Sequence, residues 1–141
     1  MSKIAILNWA DLSIGLSSQF ETTINQEHLD LYSEISGDFN PMHTDDIYAK
    51  SKGFNQKILH GMLTSSLYSR LIGMYLPGKY CLLHGINISF ISPVYAGDML
   101  TISGEISYLN EAYKQVEIKA NIRNKNNKKI SKAKIKLGIM E

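Results

Sequence analysis

The amino-acid sequence predicts an α+β fold in which an antiparallel sheet wraps around one long buried helix. Three observations carry this. Apolar residues recur at helical spacing up to about Leu76, the period drops to two after Lys79 and stays there, and the strands do not alternate with helices as in a parallel sheet. The 141 residues suit one domain, so a single unit over residues 1–141 is expected. With 44% hydrophobic and 20% charged residues, the chain has material for a core and is too mixed for a disordered or membrane-embedded protein.

An extended stretch near Phe20 to Ile24 runs into Asn25, a good N-cap, and Leu29, Tyr32 and Ile35 follow at helical spacing before Gly37 stops the helix. Ile24 and Leu29 occupy the two positions of a hydrophobic staple. A second, two-turn helix is expected with Thr44 as its cap, Asp45 and Asp46 in the first turn and Gly53 as its break. The third should begin at about Gly61 and end before Leu76-Pro77-Gly78. Met62, Leu63, Leu67, Leu71, Ile72 and Met74 cover most of its circumference, which predicts burial all round. Gly61, Ser66, Ser69 and Gly73 form a stripe of small residues on it, expected to face the sheet.

The strands follow in order. Ile86, Ile88 and Phe90 alternate with polar residues, and Pro93 to Asp98 reads as a turn. Leu100, Ile102, Ile106 and Tyr108 continue the alternation, with Gly104 expected at a bulge or bend. Val116, Ile118, Ala120 and Ile122 form another inward face. In the last strand Ala133, Ile135, Leu137 and Ile139 alternate with Lys132, Lys134 and Lys136, and NKNNK at 124–128 supplies the preceding turn. The lysine-rich end lacks the interleaved aromatics of a nucleic-acid site and reads as a solvated strand face, with lysines guarding a sheet edge.

Composition and motifs exclude several functions. Fifteen basic against thirteen acidic residues give a net charge of +2, too even a balance to imply a nucleic-acid or anionic-membrane partner. The stretch Ile58 to Leu76 is interrupted by His60, serines, Arg70 and glycines, so no membrane span is expected. The start, MSKIAILNWADLSIG, lacks the apolar core of a signal peptide, and a cytoplasmic location is expected. The single cysteine, Cys81, forms no internal disulfide and is expected as a small buried residue. Neither GxGxxG nor GxxxxGK[ST] occurs, nor GxSxG, and His28, His43, His60 and His84 match no common metal spacing, so no metal is expected.

Chemistry concentrates in SGDFNPMH, Ser36 to His43. A carboxylate, Asp38, and an imidazole, His43, stand five residues apart on a constrained turn and can converge on one water as acid and base. Gly61, in ILHGM, falls at the start of the buried helix, where free amides can hold a developing oxyanion. SGDFNPMH, ILHGM, LPG at 76–78 and PVYAGD at 93–98, in that order from about Phe20 onward, resemble the MaoC-like, (R)-specific enoyl-CoA hydratase family of hot-dog folds.

The resemblance implies reversible hydration of trans-2-enoyl thioesters, carried on coenzyme A or acyl carrier protein, with no further cofactor. It also implies a homodimer. Asp38 and His43 match the family's catalytic pair and Gly61 its oxyanion glycine, while Asn40 and Ser69 match supporting positions near the substrate. His60 is read as structural. Ile86 stands where many members carry glutamine or another polar residue. Lys50, Lys52 and Lys57 are candidate contacts for the coenzyme A phosphates. Two other readings keep the fold: an acyl thioesterase, or a non-catalytic acyl-thioester-binding subunit.

Overall fold

A computed structural model describes residues 3–141. After a single 3₁₀ turn at Trp9–Asp11 come β1 (Ser17–Thr23), α1 (Gln26–Ser36), α2 (Pro41–Thr44), α3 (Asp46–Ser51) and α4 (Gly61–Arg70). A π-helical turn, Leu71–Tyr75, extends α4, and four strands follow: β2 (Cys81–Phe90), β3 (Met99–Asn110), β4 (Gln115–Asn124) and β5 (Lys129–Ile139). All five strands form one antiparallel sheet in the order β1-β3-β4-β5-β2, which establishes the α+β class.

The sheet buries most of the face predicted from the alternation; Tyr108, past a register irregularity after Ile106, is exposed. Leu100, Ile102, Ile106, Val116, Ile118, Ile122, Ile135 and Leu137 pack with Leu63, Leu67, Tyr68, Leu71 and Ile72 of the helical segment. Each fully buried aliphatic side chain of this kind contributes about 1.5–3 kcal/mol of transfer free energy. The Tyr68 hydroxyl is tied to Ser131 Oγ of β5 at 2.7 Å, pinning helix to sheet, and burial pushes the phenol up to about 12.

The first helix forms as expected. Asn25 Oδ1 accepts the His28 N–H, His28 Nδ1 accepts the Asn25 N–H, and Gly37 closes the helix at φ 75°. Ile24 and Leu29 are both buried, as a staple requires. The second helix is capped by Asp45, whose carboxylate accepts the N–H groups of Ile47 and Tyr48, and not by Thr44, which ends α2. Proline at the first position of α2 starts a helical turn inside the segment read as a plain turn.

Four further expectations are corrected. The α4 segment is not buried all round: Met62, Ser66 and Ser69 are exposed, so of the small-residue stripe the serines face solvent while Gly61 lies against Phe90 of β2. Gly104 sits in regular register, and the irregularity lies between Ile106 and Tyr108; a Cβ at Gly104 would stand 2.8 Å from Leu71 Cδ2, so the glycine lets the helical segment approach the sheet. Strand β5 lies inside the sheet, so its lysines guard no edge; the edges are β1 and β2. Because β2 is an edge, Leu82, Leu83, Ile86 and Phe90 are exposed, and Cys81 is only half-buried. Burial still raises its thiol to about 11.

Candidate active site

The segment from Ser36 to His43 is shaped by its own polar side chains. Ser36 Oγ accepts the Asp38 N–H (3.2 Å), Asp38 Oδ1 accepts the Asn40 N–H (3.1 Å), and Asn40 Oδ1 accepts the Met42 N–H (2.9 Å) as the cap of α2. These alternate side chains each satisfy an amide two residues on, which turns the chain sharply and returns His43 toward Asp38. The Asp38 carboxylate is half exposed, with a side-chain exposure of 47%.

The segment just before α4 completes the arrangement from a distance. Its backbone is fastened on two sides: the Ile58 N–H donates to Met42 O at 3.0 Å, and the Leu59 N–H to Val94 O, in the PVYAGD turn, at 2.8 Å. The Ile58 carbonyl lies 2.8 Å from His43 Nδ1. A carbonyl only accepts, so Nδ1 carries the proton and Nε2 is free to act as a base. His60, 2% exposed, stacks on the His43 ring with centroids 3.9 Å apart. Its Nε2 donates toward Asp38 O at 3.0 Å, with Ser33 Oγ at 3.3 Å, while its buried Nδ1 has no partner.

Asp38, His43 and His60 bring ligand-type atoms within 4.8 Å of one another. His43 Nδ1 and His60 Nε2 are already engaged by carbonyls, which leaves His43 Nε2, His60 Nδ1 and one Asp38 oxygen without a protein partner. The same span suits a water: two hydrogen bonds of about 2.8 Å bridge a separation of this size.

Gly61 follows His60 directly and opens α4. Among the described residues the Gly61 and Met62 N–H groups meet no acceptor, as expected of the first amides of a helix. His43 and Gly61 line one cavity of about 610 Å³ with Met62, Phe90, Val94 and Ile130. A Cβ at Gly61 would stand 2.8 Å from Phe90 Cε1, so glycine is what lets the ring lie against the backbone here. Of the sequence-predicted residues, His43 and Gly61 line this cavity; Asp38 lies beside His43 and His60 but, like Asn40, is not among the lining residues, and the Asn40 carbonyl oxygen is spent on its cap. Ser69 stands exposed two turns along α4, about 12 Å of helix rise from Gly61. Lys50 and Lys52 are exposed, and Lys57 is half-buried. His60 is buried, in keeping with its reading as structural, while Ser33, Phe90 and Ile130 carried no local signal of a place at the site.

The sequence profile of the MaoC-like domain matches residues 13–132. The chain belongs to the MaoC-like dehydratase family. This MaoC-like protein is 36% identical over 100 residues to the (R)-specific enoyl-CoA hydratase of Aeromonas caviae, covering 71% of this chain and 75% of that one. It is 36% identical over 87 residues to the mitochondrial 3-hydroxyacyl-[acyl-carrier-protein] dehydratase of Arabidopsis thaliana, covering 62% of this chain and 51% of the relative. The R-hydratase PhaJ1 of Pseudomonas aeruginosa superposes with a TM-score of 0.91 at 28% identity, over 99% of this chain and 90% of that structure. The Aeromonas caviae hydratase structure superposes at 0.87 and 29% identity, over 92% and 98%. The hot-dog fold of these MaoC-like relatives is therefore the fold of this chain. None of its described helices is long and apolar enough to cross a membrane.

Proposed function

We propose that the protein is a hydro-lyase that adds water reversibly across the double bond of a trans-2-enoyl thioester, giving the (R)-3-hydroxyacyl thioester. Asp38 and His43 act as one acid-base unit. In the hydration direction the pair takes a proton from water, the hydroxide adds to C3, and a proton is delivered to C2. Charge that builds on the thioester oxygen in between is held by the Gly61 N–H at the start of α4.

The observation that carries the reading is the 2.8 Å contact between His43 Nδ1 and the Ile58 carbonyl. The Nδ1–H is held by this carbonyl, three residues before Gly61, so one short segment orients both the base and the amide. The relatives named as enoyl-CoA hydratases and 3-hydroxyacyl dehydratases support the same chemistry. Asn40 positions Asp38 through its backbone N–H. Ser69 is assigned to the substrate side of α4 on the family resemblance. The substrate arrives on coenzyme A or on an acyl carrier protein, and no other cofactor takes part.

A homodimer belongs to this reading. Strand β2 presents an unpaired edge together with exposed Leu82, Leu83, Ile86 and Phe90. A second copy that pairs with this edge covers them and walls the cavity beside Phe90.

The test is hydration of crotonyl-CoA followed by loss of the enoyl absorbance, with chiral analysis of the product. Asp38→Asn and His43→Asn are each expected to lower kcat by about a thousandfold or more with folding unchanged, since members of a catalytic unit fail together. Activity that survives both substitutions, or release of free thiol in place of hydration, overturns the assignment.

A further inference from the structure

The sheet face turned away from α4 gathers cations that the reaction does not use. Lys132 and Lys134 of β5 alternate with buried Ala133 and Ile135. The register sets Lys134 beside Lys119 of β4 and Asn87 of β2, and Lys132 beside Asn121 and Ser89. These six side chains line a shallow concavity of about 510 Å³. Lys129 stands beside Arg123 at one end, and Lys136 at the other is paired with Glu117 at 3.7 Å. Among the described residues, Lys119, Arg123, Lys129, Lys132 and Lys134 have no carboxylate within ion-pair distance.

The row lies on the solvated strand face that the alternation predicts, and its charges are only partly balanced: Glu105 of β3 is the register partner of Lys119 on the side away from Lys134. Strand β5 is interior, so its lysines do not protect an edge. Lys119 and Lys134 are direct cross-strand partners, a like-charge pairing that destabilises a sheet. The row also leads to the candidate active site. Ile130 of β5 and Phe90 of β2 line the cavity that holds His43 and Gly61, and Lys132 and Ser89 come next on the outer face.

We propose that this face is the docking surface for an acidic carrier protein whose thioester-bound arm enters the cavity past Phe90 and Ile130. The proposal rests on the thioester hydratase reading and specifies its carrier. From Lys129 to Lys134 the unpaired row is about 17 Å long, at roughly 3.4 Å per strand residue. That exceeds the span of a nucleotide diphosphate and suits an acidic protein surface. Lysine point charges bind phosphates as well as carboxylates, so it is the length of the row, and not the residue type, that favours a protein surface.

The experiment compares wild type with the double variant Lys132→Glu/Lys134→Glu on two substrates, crotonyl-CoA and a crotonyl-loaded bacterial acyl carrier protein. For the carrier substrate kcat/KM is expected to fall about tenfold or more, through KM, and its salt dependence to flatten, as for charges that steer association. For crotonyl-CoA, kcat/KM is expected to stay within about twofold, because screened charges outside a binding site have little reach. Loss on crotonyl-CoA alone or on both substrates equally, or no loss on either, overturns the proposal. If wild type hydrates neither substrate, the hydratase reading fails. The docking face is then judged by fluorescence anisotropy with labelled carrier protein, where binding that does not weaken in the double variant overturns it.

Discussion

At His43 the choice between two ring nitrogens decides what the residue can do. The Ile58 carbonyl fixes the proton on Nδ1, and Nε2 becomes the basic atom. The buried His60 stacks on that ring and holds the Asp38 carbonyl through its own Nε2, so it touches both partners without occupying the cavity. This makes His60 a positioning residue. His60→Gln keeps a donor near the Nε2 position, whereas the shorter amide of His60→Asn ends near Nδ1. The glutamine variant is expected to retain at least about tenfold more kcat on crotonyl-CoA than the asparagine variant, with KM similar in both, in line with the cost of lost orientation. Equal losses would reduce His60 to packing. Asp38, His43 and Gly61 were legible in the sequence because their chemistry lies in two short strings. The role of His60 was not, because its partners Ser33 and Asp38 lie 27 and 22 residues away and only the closed fold joins them.

Among the elements, α4 shows how far a periodic pattern reaches. Its limits at Gly61 and before Leu76 were readable from glycine and proline, but its exposed face was not, because apolar residues such as Met62 can face a partner as well as a core. Its buried phenol gives a pH test. Tyr68, at about 12 in place of 10.0, and Cys81, at about 11 in place of 9.0, keep their protons in the folded state after the unfolded chain has begun to release them. The unfolded state then binds fewer protons, so stability falls as pH rises from about 9 through the two folded values. Chemical denaturation at a series of pH values should show this decline, and Tyr68→Phe/Cys81→Ala should make it shallower. Loss of the Ser131 hydrogen bond should lower stability by about 1 kcal/mol at pH 7. Strand β2 supplies the other test at this scale. Ile86→Lys places a charge on the exposed edge, and sedimentation should then show a smaller species than wild type; identical sedimentation of the two would refute pairing through β2.

The whole molecule is a sheet with two unlike faces. One is packed on α4; the other carries polar and cationic side chains. The inward face and its strands were plain from alternation, since a period of two assigns each side chain to a face. Strand order was not. Alternation is the same for an edge strand and an interior one, so the sequence could not reveal that β5 inserts between β4 and β2. That difference changed the lysines from edge guards into an open basic surface. It also explains why apolar Ile86 and Phe90 remain uncovered on the far side of β5.

The placement of β5 also fixes when the molecule can be finished. Strand β2 leaves the ribosome before β5, its only strand partner among the described residues, which begins about forty residues later. At translation speeds of about 5–20 residues per second, an apolar strand waits for seconds with both edges unpaired. The cavity wall formed by Phe90 and Ile130 cannot close during that interval. C-terminal residues far from Asp38 and His43 therefore set when the cavity wall can form.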